Sequence, residues 1–263
     1  MIVKVNRVNS DFEYKLLQNL KVDIIGFSIN RLSKEQEVNQ YDSRSLSVEE
    51  VISIIKSTER KTKISVHIHQ TTNLLDIIKY AIKEIEPDYL NYYVSFHLKT
   101  EQLTKEEKEY LNAYNAINGI PSIIFGNGVG YDTPILFDKA AINSIKHVEY
   151  IEMSFDTVNT QSEFYIQSGE DDGLKQANTS DTLLESILEY TEVLPILIDD
   201  KINEETIVND VKRVKAKGVT LSLSGSNKDF SESKNENYYL SEITENYYSI
   251  EELEKLVRRI KNL

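Results

Sequence analysis

The chain has 263 residues, a formal net charge of −13, a sequence pI near 4.9 and no cysteine. That length suits one (β/α)8 domain, for which about 250 residues is typical, so residues 1–263 are expected to form a single domain with a sizeable core. The acidic balance disfavours a general nucleic-acid or anionic-membrane binder, the missing thiols exclude disulfides, and no apolar run approaches the ~20 residues that span a bilayer, so a cytoplasmic protein is expected.

Eight short β-rich runs follow in order, at 2–5, 23–29, 63–69, 92–98, 122–125, 150–155, 194–198 and 219–223. Helical patterns lie at 47–56, 73–85, 104–115, 134–145, 182–191, 204–217 and 249–261, the first opening on a capping box of Ser47 with Glu50 three residues on. Strands alternating with single helices imply parallel pairing through crossovers. Eight of them close most economically into a barrel, with an open doubly wound sheet as the alternative. The predicted fold class is therefore α/β, a single-domain (β/α)8 TIM barrel. Long polar loops follow strands 2, 6 and 8, at 31–44, 157–180 and 227–246. They lie on the side where barrel active sites are built and serve either as lids or as surface insertions. A protein partner is expected to be met through 157–180 and 227–246.

Residues two apart on a strand share a face. That alternation aligns Lys4 with Asn6, Ser28 with Asn30, and Ser65 with His67 and His69. It likewise aligns Ser95 with His97, Glu152 with Ser154 and Asp156, and Thr220 with Ser222 and Ser224, leaving the intervening apolar residues for the helices. Barrel interiors are usually filled by branched apolar side chains, so a polar lumen implies a hydrated pocket for a polar ligand at the C-terminal mouth. The alternative is a self-satisfied hydrogen-bond network. His67, His69 and His97 converge on neighbouring strands, but no adjacent carboxylate completes a metal site there. Hydrogen-bonding or acid/base roles are expected of them, and neither metal nor cofactor. Ser224, Gly225 and Ser226 form an anion nest suited to a small phosphorylated metabolite.

The segments Val3-Lys-Val-Asn6, Val22-Asp-Ile-Ile-Gly-Phe27 and Ser43-Arg-Ser-Leu-Ser47 resemble, in order and spacing, three segments of phosphoribosylanthranilate isomerases. Those read Val-Lys-Ile-Cys-Gly, Ala-Asp-Ala-Ile-Gly-Phe and Ser-Pro-Arg-Tyr-Val-Ser. Residues 193–207 and 218–226 look like the last two βα units of the same family. The resemblance implies a cofactor-free Amadori rearrangement of a phosphorylated ribosylamine, of the kind used in tryptophan biosynthesis. It implies Asp156 as general acid, Arg44 as holder of a substrate carboxylate, and His97 as the histidine of the family's Gln-Leu-His. Lys4 and the Ser224–Ser226 turn complete the expected substrate contacts.

Asn6 stands where the family has its general-base cysteine, and a carboxamide has no useful pKa near neutrality. Arg7 replaces the following glycine. Asp199, Asp200 and Lys201 replace an Ala-Gly-Gly phosphate turn, where two carboxylates repel a phosphate. Two expectations follow. One is a divergent isomerase or related sugar-phosphate enzyme, with Asp156 as acid and His67, His69 or Glu152 as base. The other is a noncatalytic barrel that binds a ligand or a partner.

Overall fold

The computed structural model describes residues 1–36, 44–68, 74–94, 122–127, 148–153, 165–166, 175–176, 195–199, 211–212, 215–224 and 248–261. Within these, the β-rich runs form eight strands: β1 Ile2–Asn6, β2 Ile24–Arg31, β3 Lys63–Ile68, β4 Tyr89–Val94, β5 Ser122–Asn127, β6 Val148–Met153, β7 Ile196–Asp199 and β8 Gly218–Ser222. Each pairs in parallel with its neighbours in sequence, and β1 pairs with both β2 and β8. That double pairing closes the sheet, so the barrel prevails over the open sheet and none of these eight strands is left with an unpaired edge. Followed pair by pair around the ring, the register returns to β1 displaced by eight residues, the stagger that defines this class of barrel.

Two strands start two or more residues earlier than expected. The fourth strand begins at Tyr89, three residues before the predicted 92, because Asn91 interrupts the apolar pattern yet sits inside the strand. The sixth begins at Val148, where Glu149 breaks the run in the same way. Residues 95–98 of the predicted fourth strand and 154–155 of the sixth lie outside the described residues. Two further pairings decorate the barrel: the two-residue strand Leu46–Ser47 beside β2, and a short antiparallel pair, Tyr165–Ile166 with Lys175–Gln176, within the long loop after β6.

Four helices are described: α1 Asp11–Asn19, α2 Val48–Lys56, α3 Leu74–Ile85 and α4 Ile250–Lys261. The first has no counterpart among the predicted helices, although Ser10 caps it by accepting from the Glu13 N–H. The predicted helices at 104–115, 134–145 and 182–191 lie outside the described residues, and only part of 204–217 lies within them. Among the described residues no helix is long and apolar enough to cross a membrane.

The main core lies between the outer strand face and the helices. Val3, Val5, Ile25, Phe27, Ile64, Val66, Val219 and Leu221 are fully or almost fully buried there, as are Tyr14, Leu17, Val51 and Ile78 from the helices. Helix α4 shows why the pattern folds: Leu253, Leu256, Val257 and Ile260 recur at helical spacing and are all buried, each contributing about 1.5–3 kcal/mol.

Candidate functional site at the C-terminal mouth of the barrel

The eight-residue stagger brings inward positions of alternate strands to common levels. At the N-terminal end, Ile24 and Tyr89 pack with Ile2 and Tyr150 as an apolar and aromatic floor. Lys4, Ser65 and Leu197 occupy the next level, then Asn91, Glu152 and Thr220. Asn6 and His67 come above them.

The two middle levels bond to each other. Lys4 Nζ donates to Glu152 Oε1 at 2.5 Å, Thr220 Oγ1 donates to the same oxygen at 2.8 Å, and Ser65 Oγ donates to Asn91 Oδ1 at 2.5 Å. All five side chains are buried. At these two levels the described lumen is thus a satisfied network, not a hydrated pocket. Lys4, expected among the substrate contacts, and Glu152, a candidate base, are both enclosed in this network.

Asn6 is 7% exposed at the next level, and room for it comes from β2. A Cβ on Gly26 would collide with Asn6 Oδ1, so the glycine of the Ile-Ile-Gly-Phe segment leaves the space that the carboxamide fills. His67 lies at the same level on β3 and is partly buried. Its Nδ1 is 3.5 Å from the Asn91 carbonyl oxygen, a long contact. A carbonyl only accepts, so any hydrogen bond along this contact has His67 as the donor.

Arg44 braces the mouth. It is 8% exposed, with Nε donating to Arg7 O at 2.6 Å and Nη1 to Ser224 O at 2.9 Å. Nη2 donates to both Glu13 carboxylate oxygens, at 2.6 and 2.5 Å. One guanidinium therefore joins the exits of β1 and β8 to the first turn of α1, and Glu13 occupies it as an internal carboxylate. Arg7 adopts φ 66°, the left-handed conformation a glycine would take freely.

Ser224 accepts from Arg44 through its carbonyl and donates its N–H to Tyr248 O at 2.9 Å, while Leu223 bridges Tyr248. Ser224 and Tyr248 are thus held together beside the mouth. His69, His97, Asp156, Gly225 and Ser226 lie outside the described residues, as do Asp200 and Lys201. Sequence reasoning named Asn6, His67, Lys4 and Arg44 but missed Asn91 and Glu13. The Ser10-x-x-Glu13 cap pattern was the available signal for Glu13. Among the described residues no group of three or more His, Asp and Glu side chains is placed to hold a metal ion.

Neither protein-family models nor curated proteins match the chain by sequence. Solved structures do match by fold. Phosphoribosylanthranilate isomerase from Pyrococcus furiosus superposes with a TM-score of 0.54 over 100% of both chains at 15% identity. The Thermus thermophilus enzyme gives 0.56 at 10% identity, over 100% of this chain and 99% of its own. The chain has their fold. A phospho-2-dehydro-3-deoxyheptonate aldolase from Thermotoga maritima gives 0.53 at 12% identity, over 100% of this chain and 68% of its own. Since an aldolase shares the fold on equal terms, chemistry must be argued from the site.

Proposed function

We propose that this chain is a divergent sugar-phosphate isomerase of the phosphoribosylanthranilate isomerase kind, in which His67 does the work that Asn6 cannot. The observation that supports it is the placement of His67, partly buried on β3, at the level of Asn6. In the Amadori rearrangement an acid protonates the ring oxygen as the furanose opens, and a base removes the proton beside the resulting iminium carbon. Asp156 is the acid in this reading, the His67 imidazole takes the proton, and the Asn6 carboxamide orients a sugar hydroxyl. The phosphate lies on the turn of Ser224, Gly225 and Ser226.

The test is turnover of phosphoribosylanthranilate, followed by loss of its fluorescence. Loss of a general base lowers kcat by about 10²–10⁴-fold, so His67→Ala should abolish measurable turnover while Asn6→Ala retains most of it. Turnover unaffected by His67→Ala would overturn the assignment.

A second reading, a noncatalytic ligand-binding barrel, is favoured by one observation: every nitrogen of the Arg44 guanidinium already has a partner within the chain. Saturable binding of the same compound with no turnover in wild type or any variant would select it.

A further inference from the structure

A cavity of about 640 Å³ opens at the end of the barrel opposite the mouth, against the apolar floor. Its size is that of a small-molecule site. Three lysines line it: Lys21 at the end of α1, and Lys61 and Lys63 at the start of β3. This is unusual in a chain with 43 acidic side chains against 30 lysines and arginines. The one acidic side chain in the lining, Asp23, is already neutralised. It accepts from Lys261 Nζ at 2.5 Å and from the Val3 N–H at 2.7 Å. The local balance is therefore cationic although the molecule as a whole repels anions.

The inner wall is aromatic. Tyr150 meets Tyr89 edge-on, with ring centroids 5.8 Å apart, and Ile2 and Ile24 pack beside them. Lys63 Nζ donates to Tyr89 Oη at 2.6 Å and lies 5.0 Å from the ring centroid, while Tyr89 Oη donates to Glu149 at 3.1 Å. A flat ring can lie against Tyr150, and an anionic substituent can then reach the lysines at the rim.

We propose that this cavity is a second binding site, specific for a small aromatic anion such as an aryl phosphate. It is separated from the mouth by the Lys4–Glu152–Thr220 network, so the two sites bind different ligands independently. The aromatic wall supplies contact area and the lysines supply charge. Burial raises the Tyr150 hydroxyl to about 12, with Tyr89 and Glu149 acting in the same direction, so it stays a neutral hydrogen-bond donor.

Equilibrium dialysis of the full chain against 4-nitrophenyl phosphate, read by absorbance, tests this. Saturable binding is expected, weakened about tenfold or more by the double substitution Lys61→Glu with Lys63→Glu. His67→Ala, at the opposite mouth, should leave it unchanged. Inorganic phosphate should compete far less well than the aryl phosphate, because it gains nothing from Tyr150. Should the double variant lose its fold by circular dichroism, Lys21→Gln with Lys61→Gln, both at exposed positions, gives the same comparison. Absence of saturable binding, equal binding in the lysine variants, or loss of binding on His67→Ala would each overturn the proposal.

Discussion

Lys21, Glu86 and Lys215 adopt left-handed conformations, with φ of 57°, 50° and 52°, at helix ends where glycine is the usual choice. After α1, the Lys21 N–H reaches Gln18 O at 3.0 Å and the Val22 N–H reaches Leu17 O at 3.1 Å, the paired bonds of a Schellman motif. Lys215 and Ala216 repeat it on Lys212 and Val211, at 3.2 and 2.9 Å. A side chain in this conformation costs about 1–2 kcal/mol, against about 0.5–1 kcal/mol for the added freedom of an unfolded glycine. Lys215→Gly and Lys21→Gly should therefore each stabilise the fold by about 0.5–1 kcal/mol, read as a higher urea midpoint. Lys21→Gly should also weaken the aryl phosphate site. Gly218→Ala should act in the opposite sense, because its Cβ would overlap the Ile2 carbonyl in the strand that closes the barrel. Backbone on both sides leaves little relief, so a loss of about 1–3 kcal/mol or more is expected. At Gly26 the obstruction is the tip of Asn6, and Gly26→Ala should mainly displace that carboxamide.

Helix α2 starts on a complete capping box: Ser47 Oγ accepts from the Glu50 N–H at 3.1 Å, and Glu50 Oε2 accepts from the Ser47 N–H at 2.8 Å. Arg31 adds an ion pair to Glu50 at 2.8 Å. Burial alone would raise the Glu50 carboxyl, but the Ser47 bonds and the Arg31 charge outweigh it and leave it below its ordinary range. A lowered carboxylate stabilises the fold above its unfolded pKa, near 4.3, and that contribution fades as pH falls through the folded value. Ser47→Ala should cost about 1 kcal/mol at neutral pH and less in acid, as urea titrations at both pH values would show. This element was legible in the sequence because its cap and apolar spacing agree. Helix α1 was not, because its buried face includes Gln18, whose Oε1 accepts from the Lys61 N–H at 2.6 Å, while Phe12 is 65% exposed. The start of β4 was hidden for a related reason: Asn91 looks like a strand breaker until Ser65 is seen to bond it.

Closure of the ring brings together what sequence distance conceals. Alternation put Lys4, Glu152 and Thr220 on inward faces, but only the return of β8 to β1 sets Lys4 against Glu152 across 148 residues. The polar lumen was therefore readable, whereas the sealing of its lower levels by a buried network was not. The buried pair yields a test of that sealing. Removing one member leaves an uncompensated buried charge and typically costs about 3–5 kcal/mol, whereas replacing both by apolar groups of similar volume is often close to neutral. Glu152→Leu alone should thus destabilise the barrel strongly in urea unfolding, and adding Lys4→Met should recover most of the loss. If Glu152 were instead the catalytic base, Glu152→Gln would abolish turnover while leaving stability nearly intact. Losses from Glu152→Leu and Lys4→Met that simply add would mean the two charges are not coupled, and the network could then no longer serve as the barrier between mouth and floor.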